Sequence, residues 1–239
     1  MGIGTLSERS LHAALKEWYA RPGDRLETEV DGYFVDIVRG DDLIEIQTGN
    51  FTAIRRKLAH LLKAHAVHVV HPVAAEKWIV RVDNAGKVIA TRRSPKRGRV
   101  ADVFEELVAI PQLLMNPNLT IEVLLTKEEA VYVDDGKGSW RRKGLSLTDH
   151  RLLGVEKTVV LASLRDFQGM LPNSLPGEFT IKDLASSMPC SQSLAHKMAY
   201  TLRHMGAIKL VGLHGRAHVY TLAAADKFLF DPNSQDIDI

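Results

Sequence analysis

The sequence predicts an α/β protein: a mixed sheet flanked by helices, followed by a smaller helical module that ends in a hairpin. Two observations carry this. In the first part of the chain, stretches with apolar residues at helical spacing alternate with short β-branched runs, the pattern of strands shielded by helices. Region 157–225 instead reads as three helices and two short strands around a tight turn. With 239 residues, 45% of them hydrophobic, the chain can build one large or two modest cores. The expected division is a main domain at 1–135, a basic linker at 136–156, the helical module at 157–225, and an acidic tail at 226–239.

The first helix is expected from about Ser7 to just before Pro22-Gly23, with Leu11, Leu15 and Trp18 on its apolar stripe. Residues 26–30, 33–38 and 43–48 are expected strands, the last two separated by the turn Gly40-Asp41-Asp42. A second helix covers 51–64, with Ile54, Leu58, Leu61 and Leu62 on one face. Strands at 67–70 and 78–82, a helix at 103–114, and strands at 119–125 and 130–133 complete the main part.

The helical module begins with a helix expected over 158–170, then a connector containing Pro172, Pro176 and Gly177. Thr180 suits the N-cap of a short helix and Ser191 that of a longer one, which Gly206 stops. Strands at 207–213 and 217–222 flank the turn His214-Gly215-Arg216. Helix, short helix, long helix and hairpin is an order that resembles the winged-helix superfamily. The resemblance implies that the long helix enters a DNA major groove. Gln192, His196, Lys197 and Arg203 would then meet phosphates or base edges, and Arg216 would sit at the wing tip.

The net charge of +2 means that any nucleic-acid surface must come from local clusters. Two are visible. Residues 91–99 hold Arg92, Arg93, Lys96, Arg97 and Arg99 with no acid from 84 through 101, and read as a flexible basic loop that clamps phosphates. The second cluster is Arg141, Arg142 and Lys143 beside Trp140, an aromatic suited to stacking on a base or to anchoring the segment. A single cysteine, Cys190, excludes an internal disulfide framework and fits a reducing cytoplasm. The start of the chain lacks a signal-peptide layout, and no run approaches the roughly 20 apolar residues of a membrane span. The histidines at 60, 65, 68 and 71 read as surface or core residues. No glycine-rich phosphate loop is present, so no nucleotide cofactor is expected.

The acidic residues of the main part carry the chemistry. Asp36 lies in an apolar strand, and Glu45 and Gln47 share one face of the next. The tight turn between the strands makes them antiparallel neighbours, so both carboxylates can converge. Carboxylates in such apolar strands are costly unless a cation neutralises them. Mg²⁺ suits this, with Mn²⁺ as an alternative. Glu8 falls on the apolar face of the first helix; it fits either a capping box begun at Thr5 or a third acidic ligand.

A helix with Glu8, a strand, a strand with Asp36, a strand with Glu45-Ile46-Gln47, and a following helix together resemble the PD-(D/E)XK nuclease superfamily over residues 5–83. The resemblance implies a restriction-endonuclease-like fold. It also implies metal ligation by Asp36, Glu45 and the Ile46 carbonyl, with Glu8 assisting. Gln47 stands where that motif has lysine; it can orient water but carries no charge. The next helix offers Arg56 and Lys57 as a replacement cation. The expected function is a Mg²⁺-dependent DNA endonuclease, with a homodimer if both strands are cut. The alternatives are a non-catalytic DNA-binding regulator or adaptor and an RNA nuclease.

Overall fold

The computed structural model describes residues 4–138 and 144–223, with the side chains of the first helix from Ser10 onward. Its elements are α1 (Gly4–Tyr19), β1 (Arg25–Val30), β2 (Tyr33–Arg39), β3 (Asp42–Ile46), α2 (Phe51–Leu61), β4 (Ala66–Val82) and β5 (Val88–Arg93). A 3₁₀ turn (Val100–Val103) leads into α3 (Phe104–Leu107), followed by β6 (Leu119–Asp134), β7 (Leu145–Leu161) and α4 (Leu164–Gln168). The chain ends with β8 (Glu178–Thr180), α5 (Ile181–Ser187), α6 (Gln192–His204), β9 (Ile208–His214) and β10 (Ala217–Leu222).

A large mixed sheet runs β1-β2-β3-β4-β6-β7, with β5 also pairing with β4. The β3–β4 and β4–β6 pairs are parallel and the rest antiparallel. Alternation along β3 sends its side chains to two cores. Ile44 and Ile46 join Leu11 and Leu15 of α1, with Ile37, Val70 and Leu124. Leu43 joins Phe51, Leu58 and Leu61 of α2 in the larger core on the other face. Polar contacts seat α1 as well: the Tyr19 hydroxyl donates to Glu122 Oε2 at 2.6 Å, and the Ser10 hydroxyl donates to the His150 carbonyl at 3.1 Å. No helix among the described residues is long and apolar enough to cross a membrane.

Several elements differ from expectation, each for a packing reason. The expected strand pairs 67–70 with 78–82, and 119–125 with 130–133, are two long strands, β4 and β6. They pair in parallel from Val67↔Leu119 to Val82↔Val133, with one register shift absorbing the polar middle. The helix expected at 103–114 is a 3₁₀ turn plus one α-turn, because Pro111 follows too closely for a longer helix. The basic loop at 91–99 is a strand through Arg93. The linker expected at 136–156 is largely β7, whose residues from Leu145 pair with β6. The helix expected over 158–170 is only Leu164–Gln168; Thr158, Val159, Val160 and Leu161 complete β7, where β-branched side chains gain ladder partners. The tail at 226–239 lies outside the described residues.

In the C-terminal part, the Thr180 and Ser191 hydroxyls accept from the backbone N–H groups of Asp183 and Leu194, capping α5 and α6. A three-stranded sheet of order β8-β10-β9 packs beside them, and its hairpin turns at Gly215, whose φ of 61° suits glycine. This part shares the larger core: Phe167, Leu184, Leu194, Met198 and Leu202 are buried in one continuous cluster with Val103, Phe104 and Leu107.

Candidate functional site

The site forms where the β2–β3 ladder ends. Pairing runs Arg39↔Asp42, Val38↔Leu43 and Ile37↔Ile44, then stops. Beyond it, the Ile46 N–H donates to Asp36 Oδ2 at 2.8 Å, so a side chain takes over where the β2 backbone has left. The N–H and C=O of one strand residue point the same way, so the Ile46 carbonyl also faces this gap. His12 of α1 reaches the same oxygen from the first-helix face, with Nε2 3.2 Å from Oδ2.

Glu45 alternates with Ile44 and Ile46 and therefore faces α2. It is 4% exposed. From α2, Lys57 forms an ion pair with it and also donates to the Phe34 carbonyl. Glu45 Oε1, though beside the ammonium, lacks a hydrogen bond of good geometry. Burial pushes Glu45 up to about 7, against the pull of Lys57; the Asp36 charge adds to the rise. Asp36 is held below the usual carboxylate range: burial opposes this, but the bond and charge of His12, the Ile46 N–H and Lys57 outweigh it. His12 is raised in turn, chiefly by its bond to Asp36. Asp36, Glu45, Lys57 and His12 thus form one electrostatic unit drawn from β2, β3, α2 and α1.

Gln47 sits differently from its expected water-orienting role. Its side chain donates to the Gly49 carbonyl, and its own carbonyl accepts from His71 Nδ1 at 2.7 Å. His71 is buried, and burial lowers its pKa. The Glu8 side chain lies outside the described residues. Arg56 is exposed, so of the two replacement cations it is Lys57 that meets Glu45. His12 was not legible as a site residue: a lone histidine one position past Leu11 carries no pattern.

Among the described residues no three His, Cys, Asp or Glu side chains form a ready-made metal cage. The donors at the gap still fit a hydrated hard cation. Mg²⁺ binds through one or two carboxylates and keeps several waters. Glu45, buried beside a second carboxylate and raised by a burial that one ammonium only partly offsets, is a group that added positive charge would stabilise.

The basic residues have several fates. Arg93 and Arg97 both pair with Glu76. Arg99 donates to the Met188 and Pro189 carbonyls at 2.6 and 2.8 Å, tying the main sheet to the turn before α6. Lys197 is paired with Glu105. Arg92, Lys96, Gln192, His196, Arg203 and Arg216 are exposed. Arg141, Arg142, Lys143 and Trp140 lie outside the described residues.

Residues 9–162 match the family model described as "Domain of unknown function (DUF8091)". The chain belongs to this family. The match closes one residue beyond β7, so the family domain coincides with the large sheet and its helices. The chain is also 32% identical over 188 residues, 78% of its length and 75% of the relative's, to an uncharacterized protein of Treponema pallidum (strain Nichols). No solved structure matches.

Proposed function

We propose that this DUF8091 protein is a metal-dependent DNA endonuclease of the PD-(D/E)XK type, with its C-terminal module acting as a winged helix that holds DNA. The observation that carries the reading is the Lys57 ammonium on Glu45, beside Asp36, at the open end of the β2–β3 pair. It supplies from α2 the charge that Gln47 lacks. Asp36, Glu45 and the Ile46 carbonyl would hold Mg²⁺ or Mn²⁺. Such an ion lowers the pKa of a water and offsets phosphate charge. Lys57 orients the attacking water and adds charge opposite the developing phosphorane. His12 keeps Asp36 ionised and fixes its Oδ2 edge.

For DNA, the exposed Gln192, His196 and Arg203 on α6 would act as the recognition face of a winged helix and Arg216 at the hairpin tip as its wing, with Arg92 and Lys96 adding phosphate contacts. Lys197 contributes less than its position promised, because Glu105 engages it. Cutting both strands would require two sites, hence a homodimer.

The test incubates purified protein with single- and double-stranded DNA, and with RNA, in Mg²⁺ or Mn²⁺, beside Asp36→Ala and Lys57→Ala. The expected result is metal-dependent DNA cleavage that each substitution lowers by about 100-fold or more. DNA binding without cleavage under every metal would instead favour the second reading, a regulator with a degenerate nuclease fold. The Gln47 side chain turned to Gly49 is the feature that favours it. Cleavage of RNA alone would move the substrate class.

A further inference from the structure

β3 ends at Ile46, but its parallel partner β4 continues to Val82. The last link is the Gln47 N–H to the Val70 carbonyl at 2.8 Å. Past it, β4 has no β3 neighbour, and a cleft of about 300 Å³ opens beside it. Thr48 is among the residues that line it. It is two residues from Ile46, at most about 7 Å of chain from the candidate metal-binding gap.

The cleft is built by specific contacts. The segment 94–98 arches over β4, stapled by the Ser94 N–H to the Lys77 carbonyl at 2.7 Å and by the Gly98 N–H to the Ala74 carbonyl at 2.9 Å. Lys96, within this segment, is exposed and lines the cleft. Among the lining residues, buried Glu128 accepts from Thr126 at 2.7 Å and holds His150 at 2.6 Å and Lys77 at 3.2 Å. The acids around the cleft are engaged internally. Glu105 pairs with Lys197, Glu106 accepts from the Phe51 N–H, and Asp102 accepts from the Arg99 N–H. Lys96 has no ion pair among the described residues. Leu11, Pro72 and Val73 supply the apolar part of the lining.

Apolar lining for a base, an unpaired lysine for a phosphate, and a volume at the small end of ligand pockets suit one nucleotide and exclude a duplex. We propose that this cleft receives a single unstacked nucleotide adjoining the phosphate held at Asp36 and Glu45, so that the preferred substrate is DNA with an unpaired end or flap. This rests on the nuclease reading for the identity of the neighbouring site. A free mononucleotide shares the chemistry, but Thr48 joins the cleft lining to Ile46 within two residues, as a continuous strand requires.

The experiment measures binding by fluorescence anisotropy, with Asp36→Ala as the background so that no substrate is consumed. The probes are a blunt duplex, the same duplex with a short single-stranded overhang, and deoxyadenosine monophosphate as competitor. The expected result is overhang DNA bound about tenfold tighter than blunt. Adding Lys96→Glu, a change at an exposed side chain, should abolish that preference by weakening overhang binding more than blunt binding. Equal binding of the two duplexes, an equal loss on both with Lys96→Glu, or competition by the mononucleotide as strong as by overhang DNA would each overturn the proposal. Separate cleavage assays keep the two readings apart. A wild-type protein that cleaves without overhang preference loses only the cleft, and one with the preference but no cleavage loses only the nuclease reading.

Discussion

At the scale of single residues, two buried carboxylates in one sheet end in opposite electrostatic states. Glu45 is pushed up by burial, which one ammonium only partly offsets. Glu128 is equally buried but sits low, at about 2 against an ordinary 4.5. Burial would raise it, but the His150 bond, the charges of Lys77 and His150, and the Thr126 hydroxyl together win. A carboxylate depressed in the folded state stabilises the fold above its unfolded pKa, and that contribution is lost as pH falls through the folded value. Glu128 should therefore add up to about 3 kcal/mol at neutral pH, declining from about pH 4.5 toward pH 2. Urea unfolding across that window should show Glu128→Gln less stable than wild type at pH 7. The gap should close as the acid is titrated. A gap that persists unchanged to pH 2 would show that Glu128 acts through packing alone.

At the scale of elements, the β2–β3 ladder ends at Ile37↔Ile44, which leaves the gap at Asp36, and β3 itself ends at Ile46, beyond which the cleft lies along β4. The arch over the cleft depends on a close approach that only glycine permits. A Cβ on Gly98 would fall 2.5 Å from the Ala74 carbonyl oxygen and 2.7 Å from Val73 Cγ1, so the backbone would have to move. Gly98→Ala should cost about 1–3 kcal/mol in thermal or urea unfolding and blunt the overhang preference. A neutral effect on both measurements would mean that the arch is looser than its two backbone hydrogen bonds suggest. The N-caps of α5 and α6 were readable in advance because a serine or threonine before a helix has a local job. The length of β7 was not, because β-branched residues choose a strand there only through pairing with β6.

At the scale of the whole molecule, the C-terminal module is not hung on a linker. Phe104 and Phe167 meet edge to face, with centroids 6.4 Å apart, and Arg99 bonds the turn before α6. The orientation of α6 relative to the Asp36 gap is thereby fixed by packing. Because Phe104 lies in the shared core, Phe104→Ala should cost about 3–5 kcal/mol and lower protection of both halves together. Hydrogen exchange read separately on β4 and α6 tests this. Loss confined to α6 would mean that the two parts open independently.

The sequence by itself determined the local grammar: the first five elements through α2, the capped helices α5 and α6, the hairpin turn at Gly215, and the placing of Asp36 and Glu45 on adjacent strands. These follow from periodicity, turn chemistry and the short separation of the two carboxylates. Tertiary structure alone decided that 145–161 is an edge strand, that Lys57 rather than Gln47 meets Glu45, and that His12 reaches Asp36. It also decided that Lys197 and Arg99 serve internal contacts. Those outcomes depend on which distant groups meet in the folded chain; for Glu45 and Asp36 they meet in a buried space where pairing lowers the cost of each charge, and that energy is invisible until the sheet has assembled.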